Sequence, residues 1–153
     1  MRKTVNHFVI VSIMFIVGGM IALQGAVNAQ LGKFLEHPVH SAMFSFGSGF
    51  IALMVATLFL KSGYPSPSKI FSAPKIYLIG GLLGTVFVTS CIIFIPKIGI
   101  ANVLLAALCG QIIFSLLFDY FGIFGMDKQP IDLKRGLGAL LVLSGVIIIN
   151  LKK

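Results

Sequence analysis

Charged residues in this chain fall in short clusters separated by long apolar runs. Asp, Glu, Lys and Arg are absent from His7 to Gly32, Pro38 to Leu60, Ile76 to Pro96, Ile98 to Phe118 and Gly136 to Leu151. The hydrocarbon core of a bilayer is about 30 Å thick, so a spanning helix needs roughly 17–25 mostly apolar residues. Four of the runs meet that length. The last is short and gains reach from Leu133 and from the stems of Lys152 and Lys153, which can snorkel to the head groups. A helix on the surface of a soluble protein would carry polar residues along an outer face, and these runs do not. The pattern predicts an all-α integral membrane protein with five transmembrane helices at about 7–30, 40–60, 75–95, 98–120 and 134–151, together making a single membrane domain over residues 1–153.

The connecting segments carry the turn formers. Gly32, Lys33, Glu36 and Pro38 predict a first short loop, and Lys61 to Ser68, rich in Ser and Pro, a second. Pro74 suits the first turn of the third helix. Lys97 and Gly99 leave room only for a tight turn, and Gly122 to Pro130 forms the last loop. The basic N-terminus, apolar run and small residues around Asn28 follow signal-peptide grammar, but the run exceeds the usual core of about 7–15 residues. A retained first helix is expected.

Composition fits. Of 153 residues, 58% are hydrophobic and 10% charged, against about 25% charged in an ordinary soluble domain. The net charge of +8 is spread singly or in pairs through the loops. It reads as membrane orientation, with no nucleic-acid partner. With five spans, Arg2, Lys3, Lys61, Lys69, Lys75, Lys128, Lys134 and Arg135 share one side, and Lys33, Lys97, Lys152 and Lys153 the other. The excess of basic residues predicts the N-terminus in the cytoplasm and the C-terminus outside. Cys91 and Cys109 lie within predicted spans and read as small buried apolar residues.

Polar groups within spans are the candidates for function, because the bilayer makes them expensive. Gln24 and Asn28 are four residues apart and share a face of the first helix. Gln111, Ser115 and Asp119 repeat that spacing in the fourth. These stripes can line a substrate pathway, or join helices by hydrogen bonds, and one does not exclude the other. Asp119 lies at a span end beside Tyr120. It reads as an interfacial charge, with proton coupling as the lesser alternative. Small residues recur at the same interval and predict helix packing faces: Gly18, Ala22 and Ala26; Ser45 and Gly49; Gly80 and Gly84; Ala106 and Gly110. Glu36, His37 and His40 lack a further well-placed ligand, so no metal is expected, and no cofactor motif is present. With no nucleophile–base arrangement and no zinc-protease helix, the chain does not read as an enzyme.

Several of these segments resemble a known family. Gln24-Gly-Ala-Val-Asn-Ala-Gln-Leu-Gly32 is similar to the Q-x-x-x-N-x-Q-L-G stretch of the YdcZ-like inner membrane exporters, a branch of the drug/metabolite transporter superfamily. Gly80 to Gly84 with Val88-Thr-Ser90 resembles the third-helix pattern of that family. Gly110-Gln111, followed by Asp119-Tyr-Phe-Gly-Ile-Phe-Gly125, resembles its fourth-helix end, and Gly136 to Gly145 its last helix. Tyr120 stands where many members carry His. The resemblance implies a five-helix unit that is half of a ten-helix, inverted-repeat transporter of a metabolite or drug in a bacterial-type cytoplasmic membrane. It also implies a partner of inverted topology, either a related five-helix chain or a second copy, with membrane lipid around both. The competing expectation is an accessory membrane subunit that packs against another protein and moves nothing.

Overall fold

A helix satisfies its backbone N–H and C=O groups internally, and in lipid that requirement overrides the modest propensities of Val, Ile and Gly. The apolar runs accordingly fold into helices in the computed structural model, which describes residues 7–61 and 63–150. In chain order these are α1 (His7–Phe34), α2 (Pro38–Phe59), a short α3 (Pro67–Phe71), α4 (Gly80–Ile98), α5 (Ile100–Phe121) and α6 (Leu133–Asn150), with 3-10 turns at Lys75–Leu78 and Ile123–Gly125. Among the described residues, four segments are long and apolar enough to cross a membrane: Phe8–Phe34, Pro38–Phe59, Lys75–Ile98 and Ile100–Phe121. Arg2, Lys3, Lys152 and Lys153, on which part of the expected charge asymmetry rests, lie outside the described residues.

The chain divides into two compact units, Met1–Lys97 and Ile98–Lys153, where the sequence pattern suggests one domain. In the first, α1 packs on α2 and α4 closes against both through glycines. A Cβ on Gly32 would sit 2.6 Å from Ile92 Cγ2, and one on Gly25 3.0 Å from Ile95 Cδ1, so both positions let α1 and α4 approach closely. Across from them, the Phe46 ring of α2 rests on Gly84 of α4, where a Cβ would meet Phe46 Cζ at 3.4 Å. The small core contains Ala29, Ala42, Cys91, Ile92 and Ile95. The second unit is a hairpin of α5 and α6.

Helix boundaries depart from expectation where packing or capping intervenes. The first helix runs on to Phe34 through Gly32 and Lys33, expected as loop, because Gly32 is held against Ile92 and Pro38. It ends at Phe34, and Glu36 in the turn that follows takes a left-handed φ of 59°. The second begins at Pro38 because His37 caps it, Nδ1 accepting from Val39 N at 3.2 Å. Near the end of the second expected loop α3 begins and runs past it to Phe71, with the N-cap Ser66 Oγ accepting from Lys69 N. The third span does not start as an α-helix at 75. Residues 75–78 form a 3-10 turn after Pro74, and α4 then continues through Pro96 to Ile98. Pro96 sits in the last turn, where it removes the bond to the Ile92 carbonyl and only two helical residues follow it. Gly99 alone, at φ 85°, separates α4 from α5. Asp132 caps α6, its Oδ1 accepting from Arg135 N at 2.8 Å.

Candidate functional site

In the first unit, Asn28 is only 6% exposed. Its side-chain Nδ2 donates to Ser45 Oγ at 3.1 Å, while its backbone oxygen accepts from the buried Ser41 hydroxyl at 2.8 Å. These two bonds clamp α1 to α2 and satisfy both serines. One turn before Asn28, Gln24 stays on the surface of α1. Among the described residues its side chain has no hydrogen-bond partner.

Gln24 borders a groove of about 400 Å³, open on one side. Ser45, Phe46, Gly49, Phe50 and Leu53 of α2 and Val88 of α4 complete its wall. These residues fall near the middle of their helices, so the groove sits at the depth of the bilayer midplane if the helices span. The lining carries no formal charge. Glu36 is the one acid between Met1 and Lys97, and it lies in the α1–α2 turn.

In the second unit Gln111 and Ser115 are exposed one turn apart on α5. Ser115 Oγ donates to its own helix at Ile112 O, 3.0 Å away, and the Gln111 side chain has no hydrogen-bond partner among the described residues. Asp119, the third member of the stripe, is occupied: Arg135 Nη2 of α6 donates to its Oδ2 in an ion pair whose side chains are each 31% exposed. The Asp119 backbone oxygen also accepts from Gln129 N at 2.9 Å, drawing the loop back over the end of α5. The other Arg135 terminal nitrogen, Nη1, is buried and has no hydrogen-bond partner among the described residues. Spacing within one helix could not reveal this pair, because Arg135 is sixteen residues away and figures in the sequence only as a loop charge.

The small-residue faces divide. Ser45 and Gly84 make contacts within the chain, and Ala22 and Ala26 are half-buried, whereas Ala106 is exposed. A Cβ at Gly18, Gly49, Gly80 or Gly110 would meet nothing within 4 Å, so among the described residues no helix packs closely against these glycines. Close approach occurs instead at Gly25 and Gly32, outside those intervals. The His37 and His40 rings lie 4.9 Å apart. Among the described residues no three His, Cys, Asp or Glu side chains group as metal ligands. Cys91 and Cys109 are free thiols.

A family model described as "Putative inner membrane exporter, YdcZ" matches residues 9–148, nearly the whole chain. The chain belongs to this family. No curated protein and no solved structure matches it. As a YdcZ-family member with apolar spans, it is a multi-pass protein of the cytoplasmic membrane and a membrane transporter.

Proposed function

We propose that this chain is one half of a small-molecule exporter that works by alternating access as a dimer of five-helix units. In this reading α6 is the fifth span, the N-terminus is cytoplasmic, the C-terminus is outside, and the partner is inserted the other way up. One observation carries it: Gln24 and Gln111 present amides on apolar helices with no hydrogen-bond partner among the described residues. Moving an unpaired amide from water into hydrocarbon costs about 4–8 kcal/mol on a cyclohexane scale. A second unit packed over these faces removes them from lipid and encloses a polar path at the midplane, where inverted-repeat transporters place their sites. Gln24, Asn28, Gln111 and Ser115 are the pathway or interface groups of this proposal, Gly18, Gly80 and Gly110 are free to pack against the partner, and Asp119 is an interfacial charge.

The test pairs topology with assembly. Alkaline phosphatase and a cytoplasm-only fluorescent protein are fused in turn to the C-terminus, and native membranes are cross-linked. Phosphatase activity alone with a cross-linked dimer supports a fixed orientation and a related second chain. Activity of both reporters supports an antiparallel homodimer. Fluorescence alone, or monomers alone, overturns the arrangement.

A further inference from the structure

Resting on that transport reading, we propose that the groove between α1, α2 and α4 binds an uncharged, aromatic-sized small molecule carrying one hydrogen-bonding group. Its volume of about 400 Å³ falls at the small end of the range for drug-sized ligands. Phe46 and Phe50 supply flat apolar surface, and contact with Gly84 holds the Phe46 ring in place. Gly49 leaves the floor open: a Cβ there would meet nothing within 4 Å.

Charge complementarity sets the ligand class. No ionisable side chain lines the groove, and the sole acid of the first unit is in the α1–α2 turn. A lipophilic cation would find no counter-ion, and two Phe faces replace only part of its hydration. An anion would find no Lys or Arg. Gln24 offers a donor and an acceptor on one amide, which suits a neutral hydroxyl, carbonyl or amide. A lipid acyl chain fills the same volume less well, because it leaves that amide unpaired.

Three probes sharing one ring system separate the classes: naphthol (neutral), naphthalene sulfonate (anionic) and naphthyl trimethylammonium (cationic). Binding is measured by equilibrium dialysis against the purified full chain in micelles, with empty micelles subtracted, and flux is measured in proteoliposomes as the saturable part above the passive flux of protein-free liposomes. The expected result is saturable naphthol binding at least tenfold tighter than either ion, weakened about tenfold by Gln24→Leu and abolished by Gly49→Leu. Gly47→Leu changes the same helix at a glycine with equally open surroundings outside the groove and should retain binding, which separates groove filling from misfolding. Tighter binding of either ion, no saturable naphthol binding, or full binding by Gly49→Leu overturns the proposal. So does a near-complete cross-link between Gly49→Cys and a second copy in a background without Cys91 and Cys109, since protein would then fill the groove. Naphthol binding without flux leaves the groove assignment standing and counts against transport. Flux confined to an ion does the reverse.

Discussion

Asn28 and Ser45, seventeen residues apart, meet across α1 and α2 through a 3.1 Å hydrogen bond beside a groove that contains Ser45 and Gln24. The same bond holds two helices together and fixes one edge of the candidate site. A polar stripe can therefore join helices at one residue and border a groove at its neighbour one turn away.

Asn28→Ala removes that bond and leaves the Ser45 hydroxyl to bond its own helix. Interhelical hydrogen bonds in membranes contribute about 0.6–2 kcal/mol. A loss of that order is expected in reversible unfolding from lipid micelles. An unchanged midpoint would show that the bond contributes nothing net.

Gly32→Ala should be costlier than its single methyl suggests. The new Cβ would press on Ile92 Cγ2 at 2.6 Å, a branched methyl that cannot swing away freely, and overpacking typically costs about 1–3 kcal/mol. Ile92→Ala deletes that methyl, so the double variant should recover part of the loss. A double-mutant cycle measures the recovery, and strict additivity would exclude the contact as its cause.

Arg135→Gln leaves Asp119 half-buried and unpaired, and Asp119→Asn does the same to Arg135. Each side chain is 31% exposed, which places the pair between surface pairs at about 0–1 kcal/mol and fully buried ones at about 3–5 kcal/mol when broken. A loss of about 1–2 kcal/mol is expected from either change, partly restored by the exchange Asp119→Arg with Arg135→Asp. Thermal unfolding in micelles reads all three.

Gln111→Leu should insert and fold as the parent does while abolishing solute flux in proteoliposomes. Expression and micelle unfolding check the first half, and flux of the neutral naphthol probe the second. Undiminished flux removes Gln111 from the pathway.

The long elements were legible because lipid leaves the backbone few choices: an uncharged run of about twenty residues becomes a helix whatever its order of Val, Leu and Gly. Their ends were less so. Gly32 reads as a loop former until its contact with Ile92 is known, and Pro74 precedes a 3-10 turn where a regular helix start is expected. The site was half legible. Spacing picked out Gln24, Asn28 and Gln111, since a residue interval reports a shared face. It could not distinguish Asn28, which is paired, from Gln24, which has no hydrogen-bond partner among the described residues, and it gave no sign of Phe46 lying on Gly84 or of Arg135 reaching Asp119. Those contacts join separate helices, and one sequence holds no measure of distance between them.

The Asp119–Arg135 pair bears on how the protein is made. The carboxylate leaves the ribosome only sixteen residues ahead of its guanidinium, so the two emerge almost together. Paired across the loop, the acid at the end of α5 and the base at the start of α6 cancel each other's charge. The α5–α6 hairpin can therefore close on itself as soon as its second helix has been made.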